Sequence, residues 1–313
     1  LIYRSIKTVV MTVLILSVLF LTGCAKTETG PIVIGVMSDV GAVPFLIAEE
    51  KGFFEDRGLD IEIVVFKSAL DRDSALQTGN LDGTMADMLS IIFYNEANLP
   101  IKMVAKTAGD YVMVTSPKLT LSLFNQSETP QIGISSNTVI EFATDMIAEA
   151  EGYEQHITRV AIPQMPVRLE MLRSGELNAA TLPEPLAQTA VIAGGDIIGS
   201  TNDIGLAPGI LVFDEALVGN EEAATGIFEA YNDAAEWLNE NGDATVYDLL
   251  ITSLGFSELL KDQGVLPMYK AIEAPDVATF DAVSEWMFDK GLSEHKYSYD
   301  ALTDIHLLPE SDF

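Results

Sequence analysis

The chain has 313 residues, enough for two domains of ordinary size, and 48% of them are hydrophobic, so a packed core is expected rather than disorder. Against 47 acidic residues it sets only 17 basic ones, a net charge of −30 that repels nucleic acid and anionic lipid surfaces alike. One cysteine excludes an intrachain disulfide and any zinc site built from thiols.

In chain order, Arg4 and Lys7 precede an apolar run, Val9–Leu21. That run falls short of the ~20 residues a spanning helix needs. A basic start, a short apolar middle and small residues at the end describe a secretory signal peptide, residues 1–23. The closing Leu21-Thr22-Gly23-Cys24 resembles the lipobox of bacterial lipoproteins, in which the cysteine is acylated and becomes the new N-terminus. The alternative is a plain cleaved signal with an incidental cysteine. Residues 24–30 then read as a small, polar tether.

From Pro31 short apolar runs alternate with longer amphipathic ones. "IVIGVM" (Ile32–Met37) reads as a buried strand, "VPFLIAEEKGFF" as a helix ending at Gly52, and "IEIVVF" (Ile61–Phe66) as the next strand. "DRDSALQTG" is a helix closed by Gly79, and "GTMADM", "IKMVAK" and "YVMVTS" are further strands. After Pro117 the texture loosens into "KLTLSLFNQSETP" and the pattern restarts with strand "QIGIS" and helix "NTVIEFATDMIAEAEG". "TRVAI", "PVRLEMLRSG", "NAATL" and "PLAQTAVIAGG" continue the alternation, and "GILVF" leads into a helix-rich tail whose helices end at Gly242 and Gly291. Strands alternating with helices predict α/β units around mostly parallel sheet.

One internal echo suggests two lobes of related build. "ALQTGNLDGTMADM" (Ala75–Met88) and "MLRSGELNAATLPEP" (Met171–Pro185) share a helix ending on Thr-Gly or Ser-Gly, a small-residue strand, and an acid soon after.

Catalysis finds no constellation. His156, His295 and His306 are scattered without paired spacing, and there is no nucleophile elbow, phosphate loop or dinucleotide fingerprint. Nothing calls for a cofactor or metal. Binding fares better, because ligands of open α/β sheets sit beyond the carboxyl ends of the strands. That rule selects Ser38, Asp39 and Phe45 after the first strand, and Asp87, Met88 and Ser90 after the small-residue strand. It also selects Ser135, Ser136, Asn137 and Thr138 at a helix mouth, and Glu184 between Pro183 and Pro185. The "SSNT" stretch serves equally as an ordinary N-cap, Phe45 as core, and Asp39, Asp87 and Glu184 as caps of the helices that follow. Arg168 reads as a structural partner rather than a ligand clamp.

"PFLIAEEKGFFEDRGLDIEIVVF", "ALQTGNLDGTMADM", "GISSNTVIEFATDMI" and "RLEMLRSGELNAATLPEPLA" together resemble the solute-binding lipoproteins of bacterial ABC importers, in the group handling nitrate, sulfonates, taurine and thiamine-pyrimidine precursors. The resemblance covers nearly all of Pro31–Phe313. It implies a type II periplasmic-binding fold, two α/β lobes with two crossovers and a helical tail. Residues 31–116 would begin lobe 1, 117–206 form lobe 2, and 207–313 return to lobe 1, with crossovers near Thr115–Pro117 and Gly205–Pro208. It further implies a non-enzymatic monomer moored by lipid at the outer face of the cytoplasmic membrane or in the periplasm, handing a small solute to a permease and ATPase. The carried-over binding positions are Ser38–Asp39, Asp87, Ser136–Thr138 and Glu184. Their acids suit an aminopyrimidine-like or amine-bearing solute. A sulfonate, taurine or nitrate binder, and an enzyme or signalling receptor on the same fold, are the alternatives.

Overall fold

Two five-stranded sheets organise the chain, and each is built from the alternation seen in the sequence. The computed structural model describes residues 30–309 apart from 154, 155, 262 and 265, so the expected leader, tether and Cys24 lie outside the described residues. From Ile32 onward the chain forms one compact unit.

The first sheet comprises β1 (Ile32–Met37), β2 (Ile61–Phe66), β3 (Gly83–Asp87), β4 (Ile101–Lys106) and β10 (Gly209–Asp214), in the order β2-β1-β3-β10-β4. The second comprises β5 (Tyr111–Thr115), β6 (Gln131–Ile134), β7 (Thr158–Ala161), β8 (Ala179–Pro183) and β9 (Ile197–Ser200), in the order β7-β6-β8-β5-β9. Each is mostly parallel, with one antiparallel strand in fourth place, β10 or β5. That strand is the one reached just after the chain changes sheet. The two echoing segments are the helix–strand units that lead into β3 and β8, the third strand of either sheet. Their glycines, Gly79 (φ 72°) and Gly175 (φ 82°), both take the left-handed conformation that ends a helix.

The first change of sheet comes earlier than the sequence texture suggests. β5 pairs with β8 and β9, so the passage is Thr107–Asp110 and not Thr115–Pro117. An apolar strand carries no mark of which sheet it will join, and the loosened segment after Pro117 is a connection within the second half that holds one short helix, Leu121–Phe124. The return, between β9 and β10, spans residues 201–208 and includes the expected Gly205–Pro208.

Helices cover the sheets. Helix α1 (Val43–Glu50) is buried from Val43 to Ala48, because it lies between the first sheet and the long α9 (Glu221–Asn241). Ala223, Ile227, Tyr231, Ala234 and Leu238 line α9's buried stripe at spacings of three and four, with alanines permitting close approach. Phe45 meets Tyr231 edge-on at 5.3 Å. Helices α2 (Ala69–Gln77) and α3 (Met88–Glu96) follow β2 and β3. In the second half come α4 (Leu121–Phe124), α5 (Val139–Ala150), α6 (Met165–Ser174) and α7 (Leu186–Ile192). α8 (Glu215–Val218) precedes α9, and α10 (Tyr247–Leu254), α11 (Val277–Asp289) and α12 (Tyr299–Leu302) complete the tail. α11 packs against α3 and also reaches α5, where Trp286 meets Phe142 edge-on at 5.6 Å. One apolar cluster thus runs from the first sheet through α3 and α11 to α5 on the second.

Candidate functional site

The carboxyl ends of β1, β3, β6, β7 and β8 converge on one cleft between the sheets. It encloses about 650 Å³, its open mouth included, and is lined from both sheets and from the passage Thr107–Asp110. The strand-end loops touch across it. The Val40 N–H donates to the Glu184 carbonyl (3.0 Å), the Met165 N–H to the Lys67 carbonyl (3.2 Å), and Gln164 Nε2 to Asp71 Oδ2 (2.9 Å).

Asp39 lies two residues past β1 and caps a single 3-10 turn, its Oδ1 accepting from the Gly41 N–H at 2.9 Å. Gly41 has no room for a side chain: a Cβ there would stand 2.5 Å from the Ala108 carbonyl oxygen, so the β1 loop can press against the passage between sheets. Burial pushes the Asp39 carboxyl up to about 7, against the backbone N–H groups of Gly41 and Ala42 and the charge of Arg72.

Asp87 ends β3 and caps α3, its Oδ1 accepting from the Leu89 (3.1 Å) and Ser90 (3.0 Å) N–H groups and from the Ser90 hydroxyl (3.1 Å). Burial raises its pKa, and Arg72 opposes the rise. Arg72 is itself buried, with Nη2 on Ser90 Oγ at 2.7 Å and 3.5 Å from Asp87 Oδ2, and Nε on Asp73 Oδ1 at 2.8 Å. Neighbouring Tyr111, at the start of β5, has its phenol pushed well up by burial and by Asp39 and Asp87.

Glu184 ends β8. Its N–H donates to the Asp110 carbonyl (3.1 Å) and its Oε2 accepts from the Gln188 N–H (3.0 Å). Burial lifts this carboxyl too to about 7, with Asp110 adding to the rise.

Asp39, Asp87, Ser135, Thr138 and Glu184 therefore line the cleft. Ser38, Phe45, Met88, Ser136 and Asn137 do not. The Ser38 hydroxyl donates to the Leu254 carbonyl, and Phe45 and Met88 are fully buried in apolar clusters. Ser136 and Asn137 are exposed, and Asn137 takes φ 56° so that its N–H can donate to Glu141 Oε2 at 2.7 Å. That stretch works as a helix cap, completed by Thr138 Oγ1 accepting from the Ile140 N–H at 3.2 Å.

Sequence reasoning missed Arg72, Asp110 and Tyr111, and for Arg168 it favoured a structural partner over a ligand clamp. Arg72 sits between Asp71 and Asp73 in a run that reads as a solvated helix face, and Asp110 and Tyr111 were hidden by the misplaced crossover. Arg168 lines the cleft and is fully buried. The three histidines are exposed and none lines it. Among the described residues no helix is long and apolar enough to cross a membrane, and no group of His, Cys, Asp and Glu is arranged to hold a metal ion.

Comparison with known proteins agrees with this architecture. The alkanesulfonate-binding protein SsuA from Xanthomonas axonopodis pv. citri, bound to MOPS, superposes with a TM-score of 0.74 at 14% identity, covering 89% of this chain and 99% of that one. The ligand-binding component of an ABC-type import system from Staphylococcus aureus, with zinc bound, gives 0.71 at 16% identity, covering 91% and 99%. A desulfurization enzyme, DszB, gives 0.61 at 13% identity, covering 88% and 97%. Such identities speak for the fold alone. No curated protein matches the sequence. The model of the NMT1-like family matches residues 25–247, and the chain, with its two-lobed type II periplasmic-binding fold, belongs to that family.

Proposed function

We propose that the chain is the extracytoplasmic solute-binding component of an ABC importer, which captures a small organic solute between its two sheets and presents it to a membrane permease. The observation that carries this is the convergence of strand ends from both sheets on one cleft whose rims touch directly, at Val40–Glu184 and Gln164–Asp71. Such a cleft encloses its ligand by bringing two bodies together, and closure marks the loaded state.

Asp39 and Glu184 line the cleft, and their carboxyl groups support a partner rich in N–H donors, such as an amine or an aminopyrimidine. Cys24 would hold the protein to the membrane by lipid, which raises the local concentration of loaded receptor near its permease.

A thermal-shift screen of amines, aminopyrimidines, sulfonates and nitrate tests the reading. A true solute at a hundredfold excess over Kd stabilises by about 2.7 kcal/mol and is returned unchanged. Turnover of the compound would favour an enzyme, and a neighbouring sensor-kinase gene in place of permease and ATPase genes would favour signalling. Mass spectrometry of the N-terminal peptide tests the anchor, since an unmodified Cys24 removes it.

A further inference from the structure

Two carboxyl groups stand where the rims of the cleft meet. Asp39 precedes Val40, whose N–H donates across the cleft to the Glu184 carbonyl at 3.0 Å. The two sheets therefore touch at, or one residue from, the positions that carry these groups, and both residues line the cleft, one from each sheet. Neither forms an ion pair among the described residues. Asp39 accepts from the N–H groups of Gly41 and Ala42, and Glu184 from that of Gln188.

Of the described residues two arginines line the cleft, and both are engaged elsewhere. Arg72 lies against Asp73 and Asp87, and acts on Asp39 through its charge without a hydrogen bond. Arg168 donates through Nη1 to the Ile162 carbonyl at 2.8 Å. The other titratable groups lining the cleft are Asp87, Asp110 and Tyr111. Asp110 works against ionisation of Glu184, Asp87 is matched by Arg72, and burial keeps the Tyr111 phenol neutral.

A carboxylate that loses its water without gaining a cation is costly, whereas a protonated carboxyl is far less so. Parting the rims lets water back to both groups, because each sits at the contact itself. The value of about 7 that burial gives each carboxyl thus belongs to the arrangement in which the rims touch. With the rims apart, both return towards the ordinary carboxylate range.

We infer that the two lobes close over the cleft with uptake of protons at Asp39 and Glu184, so that acid favours the closed form and ionised carboxyls hold the rims apart. At neutral pH the protein then presents a closed cleft only when something inside it offsets these charges. This rests on the hinged closure of the solute-binding reading and on no particular solute.

Nitroxide labels at Gln77→Cys and Arg173→Cys, on residues 24–313 carrying Cys24→Ser, test it. Both positions are exposed, at the far ends of α2 and α6, whose near ends meet at Asp71 and Gln164. Pulsed electron paramagnetic resonance reads their separation at pH 5.5 and pH 8 without any ligand. The ratio of short to long separations is expected to fall at least tenfold between the two, since each pH unit below about 7 is worth up to about tenfold for each group. Asp39→Asn with Glu184→Gln is expected to cut the change below threefold. Each single variant keeps one group and is expected to fall between, which decides the matter if the double variant does not fold. Both separations present in a ratio that ignores pH would overturn the coupling and leave the closing cleft standing. A change undiminished in the variants also overturns it, and assigns the effect to the exposed His156, His295 and His306. One separation at every pH in every variant removes the coupling and the closing cleft together.

Discussion

Asp39 and Glu184 hold their protons more tightly in the folded chain than in the unfolded one, since burial lifts each from an ordinary carboxylate value to about 7. The consequence for stability has a definite sign. Below about pH 3 both states are protonated and the full contribution is present. As pH rises towards 7 the unfolded chain loses protons the folded chain keeps, and stability falls by up to about 1.4 kcal/mol per pH unit for each group. Above 7 this part of the curve levels. Asp39→Asn keeps an oxygen to accept from the Gly41 N–H while removing the titration. Urea midpoints between pH 4.5 and 7 should therefore fall less steeply in Asp39→Asn than in wild type; parallel curves would mean that Asp39 does not titrate in this range. Gly41 makes a steric counterpart. Gly41→Ala sets a methyl 2.5 Å from the Ala108 carbonyl, a backbone atom that cannot swing aside, and should cost about 1–3 kcal/mol in the same assay.

Between residues and molecule, one side chain of α5 ties it to β7 and to α11 at once. Asp145 Oδ1 accepts from Arg159 Nε of β7 at 2.7 Å, and Oδ2 meets Lys290 Nζ at 2.8 Å and the Trp286 indole N–H of α11 at 3.1 Å. Asp145→Ala leaves three donors without this acceptor, two of them cations, and should lower stability by roughly 2–3 kcal/mol in urea unfolding. Lys290→Ala should cost well under 1 kcal/mol, as its ammonium is partly exposed. Equal losses would refute the ranking. Nothing in the sequence announces this knot, whose members lie far apart in the chain. What was legible at this scale had local causes. β1 and β2 fall on their apolar runs, and α6 ends on Gly175 because only a left-handed residue closes it there. α3 escaped notice because Asp87 ends a strand and caps a helix at once, leaving no polar break between them. Asp39, Asp87 and Glu184 could be placed by the strand-end rule, whereas Phe45 and Met88 could not be told from core, since an apolar residue after a strand serves either purpose.

Across the whole molecule the unbalanced charge becomes the leading electrostatic fact. The exposed side of α9 carries Glu221, Glu222, Glu229, Glu236 and Glu240, and Arg57 offsets only Glu229 and the half-buried Asp233. No lysine or arginine occurs between Arg173 and Lys261, a stretch that supplies β8 and β9 to the second sheet and β10 to the first. Folding therefore draws like charges together, and the compact state carries a self-repulsion that the extended chain largely escapes. Salt shortens the reach of that repulsion, to about 10 Å at 0.1 M and about 3 Å at 1 M. Exposed ion pairs lose strength in the same conditions, but each contributes about 1 kcal/mol at most, and acids outnumber bases by 47 to 17. Repulsion should therefore dominate. The melting temperature is expected to rise by several degrees, on the order of 1–2 kcal/mol for a chain of this size, between 0.05 and 0.5 M sodium chloride. The same rise should shrink when Glu222, Glu236 and Glu240 are changed together to glutamine, because α9 then contributes less to the field. A melting temperature that stays flat or falls with salt would mean that ion pairs, and not the net charge, govern the electrostatics of the fold.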